Sequence, residues 1–134
     1  MRIDLVTIVV DDYDEAVRFF VDAVGFTLAE DVPAETTDGR PKRWVVVRPP
    51  GDGGATGPGV LLARADGDDQ AAVVGRQVAG RVGFFLQVDD VAAAHARMVA
   101  AGVEFVRPPT AQPYGTVAVF LDMAGNRWDL LGPP

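Results

Sequence analysis

The chain has 134 residues, of which 49% are hydrophobic and 23% charged, and its formal net charge is −7. This composition is typical of a globular domain with a sizeable core, and the acidic balance argues against nucleic acid as a partner, because phosphates would be repelled. The absence of cysteine excludes disulfides, thiolate metal sites and cysteine nucleophiles. The apolar runs are too short to span a membrane, and Met1 leads directly into a strand without a leader pattern, so we expect a cytoplasmic protein.

The first half predicts one strand, one helix and three further strands. β-Branched residues 3–10 predict the first strand, and Asp11 or Asp12 is suited to cap the helix that follows. An apolar stripe marks that helix, which should end at Gly25. The stripe consists of Val17, Phe20, Val21 and Val24. Further strands are predicted at residues 26–32, 44–48 and 60–64, with a glycine-rich loop at residues 51–59.

The second half repeats this order of elements. Val-Asp-Asp at residues 10–12 recurs at residues 88–90, each time before a helical run, a glycine and a return strand. Residues 66–80 form a connector, with a short helix near residues 70–74. The predicted elements of the second copy are a strand at 81–88, a helix at 91–101, strands at 103–107, 116–121 and 127–131, and a turn at 122–126.

An internal repeat indicates two similar units that bury their apolar faces. We therefore predict one α+β domain over residues 1–134, with module one at about 1–65, the connector at about 66–80 and module two at about 81–134. Each module has the order βαβββ, and together they should form a curved mixed sheet with helices on the convex side. Because side chains alternate along a strand, the opposite, concave face is free to hold a ligand.

The chain resembles the vicinal oxygen chelate superfamily, which includes glyoxalase I, extradiol dioxygenases and bleomycin-resistance proteins. The residues that carry the resemblance are VVDD at 9–12, FF at 19–20, GF at 25–26, VDD at 88–90, AGVEF at 101–105, PYG at 113–115 and FLDMAGNRWDL at 120–130. The resemblance covers essentially the whole chain and implies the fold more strongly than the reaction, since this fold hosts many chemistries.

In metal-dependent members, the resemblance places His or Glu ligands at four equivalent points of the two modules. These points correspond here to Leu5, Leu61, Gly83 and Asp129. Three of them lack a donor atom, and a divalent cation needs several ligands to replace its hydration shell. We therefore expect no tightly held metal or other cofactor. The alternatives are a site shared between chains, or a one-residue register slip that brings Asp4 or Arg64 into the face.

Asp129 is the one ionisable group that we predict to face the cavity. It could act as a general base or accept a hydrogen bond from a ligand. Alternatively, it is a solvated carboxylate, or one paired with Arg127 or Arg43. His95 is the only histidine, and its mid-helix position favours a packed or half-exposed side chain over a catalytic one.

Strand alternation places Thr7, Phe85 and Gln87 on the concave face, and Tyr114 in a loop at its mouth. The phase of the strands around Trp44 and Phe120 stays open, and plain core packing is the alternative for the aromatic residues. Phe84, Leu86 and Trp128 should be core. The complete predicted ligand-binding set is Leu5, Thr7, Trp44, Leu61, Gly83, Phe85, Gln87, Tyr114, Phe120 and Asp129. Residues 40–43, RPKR, could contact an anionic ligand, although a solvated hairpin is the commoner case.

The leading hypothesis is a homodimer that binds a small organic molecule without a metal, resembling the drug-sequestering proteins of the superfamily. The alternative is an enzyme of the same superfamily, a lyase, isomerase or dioxygenase-like protein, that uses Asp129 as acid or base or as part of a metal site. A regulatory or structural partner domain has no support in the sequence.

Overall fold

A computed structural model describes residues 1–134, with the backbone alone described at residues 53 and 54. The chain divides into two compact units, Met1–Val74 and Gly75–Pro134. The boundary between them lies inside the predicted connector. Each unit contains one four-stranded mixed sheet, so the hydrogen bonding gives two sheets where a single curved sheet was expected. The prediction of an α+β fold built from two repeated modules is confirmed.

The first unit has strand order β1-β4-β3-β2, with β1 parallel to β4 and the other pairs antiparallel. Its elements are β1 (Leu5–Val10), α1 (Tyr13–Arg18) continued by a π-helical segment (Phe19–Val24), β2 (Thr27–Glu35), β3 (Pro41–Arg48), α2 (Asp52–Thr56), β4 (Gly59–Arg64) and α3 (Asp68–Val73). The helix α3 confirms the short helix predicted in the connector. The helix α2 lies in the segment that was expected to be only a loop.

The second unit repeats this topology with strand order β5-β8-β7-β6, and β5 is parallel to β8. Its elements are β5 (Val82–Gln87), α4 (Val91–Ala100), β6 (Phe105–Gln112), β7 (Gly115–Leu121) and β8 (Arg127–Gly132). The register of the parallel pairs is equivalent in the two units. Thr7 lies opposite Leu61 in the first, and Phe85 lies opposite Asp129 in the second.

The repeated Val-Asp-Asp sequence starts both long helices in the same way. A carboxylate oxygen of Asp12 accepts a hydrogen bond from the backbone N–H of Glu15 at 2.8 Å, and Asp90 does the same for Ala93 at 2.9 Å. Gly25 follows the π-helical segment with φ +100°, a left-handed conformation that glycine adopts without a steric penalty. The predicted apolar stripe is confirmed at Phe20 and Val24, whereas Val17 and Val21 are only half-buried.

The edge strands are longer than the sequence predicted. β2 continues past Pro33, and β6 continues past Pro108 and Pro109 with irregular register. Proline lacks the N–H that a central strand would donate, so it indicates a strand end when it is read from sequence alone. At the outer edge of a sheet this donor is not required, and both strands continue.

Aromatic stacking organises the core of the second unit. Trp128 stacks on Phe84 and on Phe120, with ring centroids 4.6 Å and 5.6 Å apart. Phe120 also contacts Phe105, which meets His95 of α4 edge to face at 4.5 Å. These contacts define the face of the second sheet that packs against α4. The opposite face carries the alternate residues of each strand and is called the open face below.

The β7–β8 turn is held by one buried carboxylate, that of Asp122. One of its oxygens accepts hydrogen bonds from the backbone N–H groups of Ala124, Gly125 and Asn126, each at 3.0 Å. The other accepts from the Asn126 side chain at 3.0 Å and from Trp128 Nε1 at 3.1 Å. The turn therefore positions both the core tryptophan and the start of β8, the strand that carries Asp129.

Replacing Asp122 with Ala should lower the free energy of unfolding by about 3–4 kcal/mol, because several buried donors lose a charged acceptor. The matched control is Asp90→Ala, which removes a single exposed helix cap and should cost about 1 kcal/mol. Chemical denaturation of the two variants provides the comparison. Equal losses would show that the Asp122 network does not support the fold beyond an ordinary cap.

Candidate functional site

A row of four side chains crosses the open face of the second sheet. From one edge of the sheet to the other, the row consists of Phe85 of β5, Asp129 of β8, Val119 of β7 and Arg107 of β6. Each residue lies opposite the next in the strand register. Phe85 is 64% exposed, Asp129 is half-buried and Arg107 is exposed. The acid therefore stands between an aromatic and an aliphatic side chain on a surface that a ligand can reach.

Burial of the Asp129 carboxyl raises its pKa above the ordinary value of 3.8, and the positive charge of Arg107 opposes this shift only in part. Loss of hydration disfavours a carboxylate unless a close cation or several donors replace the water. Arg43, one of the two partners suggested by the sequence, instead forms ion pairs with Asp14 and Asp31 in the first unit. Arg107 was not predicted, because irregular pairing in β6 hides its place in the row.

A cavity of about 250 Å³ adjoins this row in the second unit. Gln87, Tyr114 and Leu131 line it, and Thr116 and the backbone around Gly132 complete the wall. Gln87 and Leu131 are opposite each other in the β5–β8 register, two residues along each strand from Phe85 and Asp129. Tyr114, which is 74% exposed, lies in the β6–β7 turn. The cavity thus combines the amide of Gln87 and the hydroxyl groups of Tyr114 and Thr116 with the apolar side chain of Leu131.

The corresponding row of the first sheet has Leu61 at the position that Asp129 occupies in the second. Leu61 lies between Thr7 of β1 and Val46 of β3 in the strand register. Because side chains alternate along a strand, Trp44 lies on the same face as Val46. This settles the strand phase of Trp44, whose indole Nε1–H donates to the carboxylate of Glu30 at 2.9 Å. Leu5 lies opposite Gly59 at the beginning of the strand pair.

The residues at the four positions that the resemblance assigns to metal ligands do not fit a divalent cation. Leu5 and Leu61 have no donor atom, and Asp129 supplies one carboxylate. At Gly83 there is no room for a ligand side chain, since an added Cβ would lie 2.8 Å from Cγ2 of Val78. Across the described residues, His, Cys, Asp and Glu form no group of three or more that could hold a metal.

The structure corrects one predicted ligand contact. Phe120 is fully buried and lies on the core face of β7, stacked on Trp128, so it cannot line a cavity on the open face. The strand phase around Phe120 was left open by the sequence, and its register opposite Trp128 decides it. Trp128 is buried as predicted, while Phe84 and Leu86 are half-buried. His95 is a half-buried helix residue, as expected.

Comparison with known proteins agrees with this arrangement. The family model of the glyoxalase/bleomycin resistance protein/dioxygenase superfamily matches residues 2–130. The chain belongs to this superfamily. It is 49% identical to an uncharacterized protein of Shewanella frigidimarina (strain NCIMB 400), over 94% of this chain and 89% of that protein. Among the described residues, no helix has the length and apolar character needed to cross a membrane.

Two solved structures are similar over nearly the whole chain. UcmS2 has a TM-score of 0.79 and 29% identity, covering 98% of this chain and 97% of its own. TnmS3, an antibiotic binding protein from Streptomyces sp. CB03234, has a TM-score of 0.74 and 28% identity, covering 100% of this chain and 97% of its own.

The contact between Gly83 and Val78 predicts an energetic coupling. Gly83→Ala should destabilise the protein by about 1 kcal/mol, because the new methyl group meets a stiff β-branched side chain. In a Val78→Ala background the same change should cost almost nothing. A double-mutant cycle from denaturation curves measures this coupling. Equal costs in the two backgrounds would mean that the connector does not pack over this position.

The raised pKa of Asp129 predicts a pH-dependent effect of its removal. At pH 7 the folded protein holds an ionised carboxylate in a place that favours the neutral form, so Asp129→Asn should raise the Tm by about 1–2 °C. Below the ordinary pKa of 3.8 the carboxyl is neutral in both the folded and unfolded states, and the difference should vanish. Thermal melts of both proteins from pH 3 to pH 8 test this. An asparagine variant that is less stable at pH 7 would contradict it.

Proposed function

We propose that this superfamily member binds a small organic molecule on the open face of its second unit, without a tightly held metal. The observation that carries the proposal is the row in which the half-buried Asp129 stands beside the exposed ring of Phe85. Cavities with apolar walls and a few polar groups are typical of small-molecule sites. The proposal that no metal is tightly held is supported by the four positions that the resemblance assigns to metal ligands, since three of them have no donor side chain.

Each side chain has a distinct role in this proposal. The ring of Phe85 stacks on an aromatic or flat part of the ligand, and its burial supplies apolar free energy. Asp129 accepts a hydrogen bond from a ligand N–H or O–H group, and a cationic donor would gain most from the charge. Gln87 and Tyr114 provide further polar contacts at the adjoining cavity. The net charge of −7 also favours the approach of a cation.

The similarity to TnmS3 supports a binding role, because that structure is described as an antibiotic binding protein. We further propose that the working form is a homodimer in the cytoplasm. A twofold interface is the commonest assembly of soluble proteins.

The test is a native mass measurement of protein purified from its own host, combined with metal analysis. We expect one bound organic mass for each chain and substoichiometric metal. With that molecule in hand, Phe85→Ala should weaken binding about tenfold to a hundredfold, and Asp129→Asn should weaken it about tenfold. The control is Val99→Ala on α4, which should leave the affinity unchanged. Stoichiometric zinc, nickel, iron or manganese, or full affinity in both site variants, would refute the proposal.

The raised pKa of Asp129 favours one alternative, an enzyme in which this residue moves a proton. The two functions differ in what happens to the ligand. A sequestering protein returns the molecule unchanged after denaturation, whereas an enzyme releases a product under multiple-turnover conditions. If a product forms, Asp129→Asn should remove most of the rate while ligand binding persists.

A further inference from the structure

We infer that the first unit contains a separate site for a small aromatic carboxylate, in the cavity where β3 and β4 diverge. The paired part of these strands runs from Val45 opposite Leu62 to Val47 opposite Val60. The start of β3, from Pro41, and the end of β4, up to Arg64, are not paired with each other. The gap that results is a cavity of about 230 Å³, which is also lined by the β2–β3 turn and by Gln70 of α3. The inference goes beyond the proposed function, which rests on the second unit.

The lining of this cavity is unusually cationic for an acidic protein. Arg40, Lys42, Arg43 and Arg64 all line it, which is a third of the 12 lysines and arginines in the chain. Lys42 is the only lysine of the sequence. The RPKR sequence at residues 40–43 thus lies at the wall of a cavity, where the sequence alone favoured a solvated hairpin.

Two of these cations are already neutralised and held in place. Arg40 forms two parallel hydrogen bonds with Asp66, at 2.9 Å and 2.7 Å, and also contacts Asp38. Arg43 pairs with Asp14 and Asp31. These pairs stiffen the wall and leave little charge to offer a ligand.

The charge available to a ligand comes from Lys42 and Arg64. Among the described residues, neither side chain has a carboxylate within 4.0 Å. The Arg64 guanidinium instead lies over the ring of Tyr13, 5.4 Å from its centroid. Two exposed cations at the edge of one cavity are suited to bind an anion, and Arg64 can contact a carboxylate with two parallel donors.

Aromatic side chains and neutral donors complete the site. Tyr13 and Trp44 both line the cavity. The Tyr13 hydroxyl accepts a hydrogen bond from the backbone N–H of Arg43 at 3.3 Å, so its own proton is available to donate. The Oε1 atom of Gln70 accepts from the N–H of Asp66 at 2.9 Å, which leaves its NH₂ group as a further donor.

Size and charge decide the class of ligand. Sites for drug-sized molecules are usually about 300–1000 Å³, so this smaller cavity suits a fragment with one ring or two fused rings. The cavity offers two available cations, and the carboxylate of Asp66 also lines it. This balance of charge matches a ligand with a single negative charge better than a dianion. The combination of rings and cations therefore favours an aromatic carboxylate over inorganic phosphate.

The two tryptophans make a direct test possible, because each unit contains one. Trp44 lines the proposed cavity, and Trp128 lies in the core of the second unit. In an ¹⁵N-labelled protein their indole N–H groups give two NMR signals. Titration with 2-naphthoate should shift the Trp44 signal saturably and leave the Trp128 signal unchanged. The matched neutral compound, 2-naphthalenemethanol, and inorganic phosphate should bind at least about tenfold more weakly.

Variants assign the effect to the cations. Lys42→Gln and Arg64→Gln should each weaken 2-naphthoate binding about tenfold, whereas Lys42→Arg should retain most of the affinity. Arg18→Gln, which removes an exposed charge from the end of α1, is the control and should change nothing. In a second readout, saturating 2-naphthoate should slow acetylation of Lys42, followed by mass spectrometry. Thermal melts establish that each variant is folded.

The results separate this site from the proposed function. Phe85→Ala and Asp129→Asn should leave 2-naphthoate binding unchanged if the carboxylate occupies the first unit. The inference is overturned if the Trp44 signal does not move, if the neutral analogue or phosphate binds equally well, or if the two glutamine variants retain full affinity. None of these outcomes changes the expectation for the ligand of the second unit.

Discussion

The parallel pairing of the first and last strands of each module determines the arrangement of the site. It aligns Thr7 with Leu61 in the first unit and Phe85 with Asp129 in the second. Since successive side chains point to opposite faces, this register also assigns every neighbouring residue to a face. In the second unit one face receives the aromatic stack of Trp128 and the helix α4, while the other presents Asp129. A shift of one residue in β8 would exchange the two sets and place a carboxylate in the core.

The same register also decides which side chains occupy the four positions that the resemblance assigns to metal ligands. Leucine occupies the first-unit positions, and Gly83 leaves space that Val78 fills. Asp129 alone remains charged, and its pKa is raised because its surroundings desolvate it more than Arg107 compensates. Such a carboxyl is suited to contact a ligand donor, since a hydrogen bond or cation from the ligand would replace its lost hydration.

Much of the fold was predictable because several independent signals agreed. The repeated Val-Asp-Asp sequence marked the helix caps, Gly25 marked a helix end, and runs of β-branched and apolar residues located the strands. The extent of β2 and β6 was not predictable, because Pro33 and the Pro108-Pro109 pair indicate strand ends unless the strand is known to lie at an edge. The division into two sheets was also missed, since hydrogen bonds between strands leave no direct signal in a single sequence.

For the site, the placement of Asp129 and Leu61 on equivalent strands followed from the repeat. The burial of Phe120 did not follow from the sequence. Residues on both faces of β7, such as Ala118 and Val119, are apolar, so the sequence shows no alternation that would assign Phe120 to a face. Arg107 was missed for a similar reason, as irregular pairing in β6 precedes it. The cationic cavity of the first unit depends on where two strands diverge, which only the three-dimensional structure shows.

The most direct test of this account is the titration of the Asp129 carboxyl by ¹³C NMR, assigned with the Asp129→Asn variant. We expect a pKa above the ordinary 3.8 that stays unchanged when equimolar zinc is added. A pKa at or below 3.8, or one that falls when zinc is added, would contradict this expectation, because the carboxylate would then have a close cation or a bound metal beside it.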